Sequence, residues 1–288
     1  MSPEEHVQAH EARGSRLDVN GLSTFVRDQG AGDVVLLMHG VPVSSYVWRK
    51  VMPELVQQGL RAVAYDLPGL GFSERPESFD YTWSGLGRHA VALVNQLRLS
   101  RFHLVVHDIG GPIGFELASV MPERVASLTI LNTIIEVARF KKPAIMRPFG
   151  VKGVGEAYLR SMVDWVFVRF MYLQGVSDKS RCPPDELVGH RRLLLREDGG
   201  RAFLQIMRGF ETTTEKQARY LGVVQEPNLP KRALWGERDP ALNLKRYGSV
   251  ARRLVGDPNF RTVPAKHFLQ ESHPEAVAHT VAEVMRPA

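Results

Sequence analysis

The chain has 288 residues, 44% hydrophobic and 24% charged, which is the composition of an ordinary globular protein and excludes a disordered or fibrous one. Its net charge of +6 is scattered along the sequence. The densest basic stretch, 138–153 (ARFKKPAIMRPFGVKG), belongs to no recognisable nucleic-acid module and reads as a solvated face, so no nucleic-acid partner is expected.

Cys182 is the single cysteine, so no internal disulfide can form and a reducing, cytoplasmic setting is the easier fit. The N-terminal MSPEEHVQAHEARGSR is polar and lacks the apolar core of a signal peptide. No apolar run approaches the roughly 20 residues that cross a bilayer, so a soluble protein without a membrane span is expected.

In chain order, residues 16–30 contain Asn20-Gly21 between two short β-like runs, a hairpin with a type I′ turn. VVLLMHG (34–40) is a continuous apolar run of the kind shown by a strand buried on both faces. A helix is expected around 47–58, a strand at RAVAYD (61–66) and a helix over 85–99. RFHLVVHD (101–108) reads as a strand, 112–123 as a helix and ASLTILN (126–132) as a strand. From about 134 to 228 the alternation stops and the pattern is mostly helical. It resumes with RALWGERDP (232–240), FRTVPAKH (260–267) and a closing helix near 274–286. Strands alternating with helices predict a mostly parallel central sheet flanked by helices. The division is a core in two parts, 1–133 and 229–288, with a helical cap inserted over 134–228.

LVVHDIGGPIG (104–114) ends a buried strand on an aspartate in a glycine-rich turn. Aspartate is a common turn and cap residue, but the same pattern is that of a nucleophile elbow, with Val106 and Gly110 bracketing Asp108. Other suspicious residues also fall at expected strand ends, where open α/β sheets place their sites. These are His39-Gly40-Val41-Pro42, Asp66-Leu67-Pro68-Gly69, Asp239 in GERDP and His267 in AKHFLQE. The chain order aspartate, second acid, histidine is that of an α/β-hydrolase.

The motifs HGVP, DLPGLGFSERP, VVHDIGGPIG, WGERDP and AKHFLQE resemble the α/β-hydrolase fold of the epoxide hydrolase and haloalkane dehalogenase group, from residue 34 to 271. That resemblance implies a cofactor-independent hydrolase of a small, largely apolar substrate, working as a monomer or homodimer. A carboxylate nucleophile suits an electrophilic saturated carbon, because it yields an alkyl ester that water then cleaves. Asp108 would attack, His267 would activate the water and Asp239 would orient the imidazole. The backbone N–H groups of Val41 and Ile109 would form the oxyanion hole.

Dehalogenases of this group usually clamp the halide with a tryptophan after the nucleophile and an asparagine at the third position of HGxP. Ile109 and Val41 stand there, so a halide would need a cap donor such as Trp165. Epoxide hydrolases protonate the ring oxygen with cap tyrosines, and Tyr172 in FMYLQG occupies a similar setting, while Met207 stands where a second tyrosine is sought. Epoxide hydrolysis is therefore the leading expectation and dehalogenation its alternative. A non-catalytic ligand-binding protein of the same fold is the reading outside enzymes. Glu136 is an alternative acid, His107 is read as structural, and Trp48 and Trp83 as core or pocket aromatics. No His-rich metal motif such as HExxH is present, so no metal is expected.

Overall fold

The structure, a computed structural model, describes residues 1–256 and 260–285. Helix α1 (Pro3–Glu11) is opened by a Ser2 capping box and leads into the expected hairpin of β1 (Ser15–Val19) and β2 (Leu22–Gln29). Asn20 and Gly21 at its turn have φ of 55° and 82°, the positive values that a type I′ turn demands. The first core run forms β3 (Val34–Met38), followed by a 3₁₀ turn at Ser45–Trp48 and α2 (Val51–Gln57) where one helix was expected. Next come β4 (Arg61–Tyr65), α3 (Trp83–Gln96), capped by the Thr82 hydroxyl, and β5 (Phe102–Asp108). Helix α4 (Gly110–Val120) and β6 (Val125–Thr133) complete the first part.

Between β6 and β7 the described chain is helical: α5 (Val154–Ser161), α6 (Asp164–Gln174), α7 (Pro184–Leu195), α8 (Arg201–Arg208) and α9 (Thr214–Val224), with 3₁₀ turns before them. The sheet resumes with β7 (Lys231–Gly236), then α10 (Ser249–Val255) and β8 (Arg261–Val263), and the chain closes on α11 (Leu269–Ser272) and α12 (Pro274–Met285). Residue 286 of the expected closing helix lies outside the described residues. Two expected strands are shorter than read: β7 stops before Asp239 and β8 before His267, because GERDP and PAKHF leave the ladder as turns.

The eight strands lie in the order β1-β2-β4-β3-β5-β6-β7-β8, antiparallel at the β1–β2 and β2–β4 pairs and parallel elsewhere. β6 is buried at all nine positions, as a strand covered on both faces should be. Trp48 and Trp83 are both fully buried core residues. The parallel strands deliver their C-terminal ends to one edge, where His39, Asp66, Asp108 and Asn132 follow or finish β3, β4, β5 and β6.

Candidate active site

Asp108 closes β5 with a φ of 54°. A non-glycine residue in the left-handed region costs on the order of 1–3 kcal/mol and persists only where its surroundings over-determine it. Here they do. The register of β5 on β6 shifts between His107 and Asp108, and the Thr133 hydroxyl donates to the Asp108 carbonyl. Gly110 opens α4 so close to β3 that a Cβ would lie 2.6 Å from the Met38 carbonyl oxygen and 2.7 Å from that of His39. Gly40 likewise leaves room that a Cβ would take from the Asp108 carboxylate. Strand, sharp turn and helix together push the aspartate side chain out of the sheet edge.

Three residues past the end of β7, Asp239 is almost completely buried, and its Oδ1 accepts from the backbone N–H groups of Ala241 and Leu242, each at 2.8 Å. Its Oδ2 accepts from Asn132 Nδ2 at 2.5 Å and from His267 Nδ1–H at 2.7 Å. Asn132 in turn accepts from the Gly236 N–H at 2.8 Å, tying the acid to both β6 and β7. On the other side of the imidazole, His267 Nε2 lies 3.3 Å from Asp108 Oδ2. His107 Nε2–H donates to the His267 carbonyl at 2.8 Å and so fixes the loop that carries the histidine.

The electrostatics follow from this arrangement. Burial alone would depress His267, but Asp239 and Asp108 together raise it from 6.5 to about 10. Burial would raise both carboxylates, yet contact with the imidazole holds each below the usual carboxylate range. His107, sealed from water and close to His267, falls to about 3 and is neutral. The resting trio is therefore two carboxylates around one imidazolium.

Asp108 Oδ1 accepts from the Val41 N–H at 2.8 Å. Ile109 is the N-cap residue just before α4, with helical backbone angles, and the N–H groups at a helix start have no intrahelical acceptor. One carboxylate oxygen thus faces the Val41 N–H while the other faces the histidine.

The site opens into a cavity of about 600 Å³, counting its solvent-open mouth, walled chiefly by apolar side chains. Among the described residues its polar lining side chains are Asp108, Lys142, Gln174 and His267, and no tyrosine or tryptophan lines it. The two cap residues proposed from sequence are not brought here. The Tyr172 hydroxyl donates to the Cys182 carbonyl at 2.9 Å, and Trp165 is 71% exposed. Both sit on α6, whose Phe170 and Gln174, one helical turn apart, face the cavity. At about 100° per residue, Tyr172 points roughly 160–200° away from those two, and Trp165 about 180° away from Gln174.

Glu136 is paired with Arg253 at 2.8 Å and does not touch His267. Lys142, within the stretch read as a solvated face, is half-buried on the cavity wall. Sequence reasoning also passed over Asn132 and Thr133. The only signal for Lys142 was its position beside Pro143, Ile145 and Met146, an apolar run unlike a purely solvated face.

Among the described residues, one group could gather around a cation: Cys182, Glu186 and Glu271. Its carboxylates already hold Arg49 and Lys50, so its negative charge is met within the protein.

Comparison with known proteins agrees with this fold. The profile of the family described as alpha/beta hydrolase fold matches residues 33–161. A haloalkane dehalogenase of Mycolicibacterium smegmatis is 27% identical over 297 residues, covering 93% of this chain and 89% of that protein. Among solved structures, an alpha/beta hydrolase fold protein from Burkholderia ambifaria superposes with a TM-score of 0.79 at 25% identity, over 93% of this chain and 97% of that one. An epoxide hydrolase from Vigna radiata gives a TM-score of 0.76 at 22% identity, over 94% and 96% of the two chains. Among the described residues, no helix is long and apolar enough to cross a membrane.

Proposed function

This chain is a hydrolase of the α/β-hydrolase fold, and on that premise we propose that it opens small, largely apolar epoxides through an ester formed on Asp108. One observation carries the reading: a carboxylate on a strained elbow, held by the Val41 N–H through Oδ1 and facing the His267 imidazole through Oδ2. Segment 134–228 acts as a cap, since Phe140, Phe170, Met207 and Phe210 from it wall the cavity in front of that carboxylate.

The chemistry runs in two halves. Oδ2 attacks an epoxide carbon, the ring C–O bond breaks, and an alkyl ester forms whose carbonyl oxygen is Oδ1 at the Val41 N–H. Esterification removes the charge of Asp108, one of the two that hold the His267 proton, so the imidazolium becomes more acidic and protonates the alkoxide. The neutral imidazole then takes a proton from water, whose oxygen adds to the ester carbon. Charge gathers on Oδ1, where the amides of Val41 and Ile109 stabilise it. Cleavage of the bond to Oδ2, with the proton returned from His267, frees a diol. Asp239 keeps the imidazole in the tautomer that both transfers require.

The halide clamp usual in dehalogenases is missing, because Val41 and Ile109 carry no side-chain donor and Trp165 faces solvent. The test is a trapped ester. His267→Gln incubated with 1,2-epoxyhexane should gain the mass of the whole epoxide on the peptide containing Asp108. No adduct, with a substrate that wild type turns over, rules out the ester route. An adduct from 1-bromohexane but none from the epoxide would make the protein a dehalogenase.

A further inference from the structure

The cavity holds one charge that the mechanism above leaves unused. Lys142 lies on its wall, with Nζ 4.4 Å from the centroid of the Phe210 ring, which lines the same space. Burial alone holds its ammonium below the usual lysine range, with no carboxylate opposing the shift. Among the described residues its Nζ makes no hydrogen bond, and no acid lies within ion-pair distance, in a chain where most buried cations are paired. Gln174 adds an amide side chain on the same wall, also without a protein partner among the described residues. An ammonium half-buried among apolar side chains is incompletely solvated, and a bound anion would pair with it.

Resting on the aspartyl-ester reading, we infer that Lys142 is a specificity-determining residue: the substrate carries a carboxylate that pairs with its ammonium, joined by an apolar spacer to the carbon that Asp108 attacks. Lys142 and Asp108 line one cavity without forming an ion pair, so the anionic and electrophilic ends of the substrate occupy different places. The apolar walls, among them Ile145, Met146 and Phe170, suit the spacer. The Phe210 ring face holds the ammonium in position before any ligand arrives.

The test compares 5,6-epoxyhexanoate with 1,2-epoxyhexane, two substrates of equal chain length that differ in the carboxylate. Wild type should favour the acid by about tenfold or more in kcat/KM, the scale of one charge-assisted contact. Lys142→Met should bring that ratio to about one, and Lys142→Arg should retain most of it. In parallel, calorimetry on Asp108→Asn should show hexanoate binding that weakens by about tenfold when Lys142→Met is added. Equal kcat/KM for the two epoxides in wild type, a preference that survives Lys142→Met, or hexanoate binding indifferent to that change each overturns the inference. If Lys142→Met abolishes hexanoate binding while wild type turns over neither epoxide, the epoxide reading fails and the Lys142 anion site stands.

Discussion

Two clusters of buried charge lie only four residues apart at His267 and Glu271, and they are neutralised differently. In the first, Asp108 and Asp239 share the single imidazole of His267, so two negative groups face one positive group. In the second, Glu186 and Glu271 share Arg49 and Lys50, while the fully buried His190 is pushed below its ordinary value by burial and stays neutral beside Glu271. Two acids meet two bases there, and the sum is zero. The first cluster also borders the cavity, with Asp108 and His267 on its wall, whereas neither Arg49 nor Glu271 lines that space. A balanced cluster joins elements: Arg49 follows the 3₁₀ turn, Glu186 is on α7 and Glu271 on α11. An unbalanced one is poised to change its charge when a ligand reacts.

The largest effect should come from unbalancing the first cluster. Asp239→Asn removes the acceptor for His267 Nδ1–H and leaves an amide facing it, so kcat should fall roughly ten-thousandfold while the circular dichroism spectrum stays that of wild type. The backbone contacts of the side chain remain usable, because an asparagine oxygen can still accept from Ala241 and Leu242, while the contact from Asn132 Nδ2 is lost together with that of His267. A variant with near-normal kcat would mean that another group orients the imidazole, and the contrast between the clusters would lose its functional half.

Breaking the second cluster should act on stability. Arg49→Met strands Glu271, a fully buried carboxylate, and leaves it with Lys50 and His190 as its charged neighbours. Removing one partner of a buried ion pair costs about 3–5 kcal/mol, which urea unfolding would register as a lower midpoint. The fraction that remains folded should turn over substrate at the wild-type kcat. A large fall in kcat at unchanged stability would show that the network positions His267 through α11, and the two clusters would then be one device.

The sequence made the sheet legible because its strands are buried on both faces: VVLLM announces that as an unbroken apolar run, and RAVAY and FHLVVHD as mostly apolar ones. Asp108, Asp239 and His267 were legible because local motifs sit at strand ends, even though the last two lie beyond their strands in turns. The cap was harder to read. A residue there reaches the cavity only if its angular position on a helix is right, and neighbouring positions on α6 differ by about 100°. Tyr172 and Trp165 have suitable chemistry on the wrong faces, while Gln174 and Lys142 line the cavity without belonging to a motif. Asn132 and Thr133 escaped because their roles depend on contacts across β5, β6 and β7, which no local pattern encodes.

The smallest effect, and the sharpest comparison of the clusters, is in their response to pH. His267 is raised in the folded protein from 6.5 to about 10, so its contribution to stability is complete below about pH 6.5 and is lost as pH rises toward 10. Glu271 is shifted the opposite way: burial would raise it, but Arg49 and the His190 contact hold it well below the carboxylate range. Its contribution is present above its unfolded value and is lost only as the solution becomes strongly acidic. Between pH 7 and 10, then, the melting temperature should decline through the first cluster and not the second. Asp108→Asn removes one of the two charges that raise His267, so its histidine should release its proton at lower pH, and the decline, which still begins near pH 6.5, should end earlier and be smaller. Melting curves across that range, with the His267 imidazole followed by NMR, measure both shifts. An imidazole that titrates at its ordinary value in wild type would mean that the two carboxylates do not hold the proton. The site would then rest as a neutral base, and the alkoxide of the first half-reaction would have to take its proton from elsewhere.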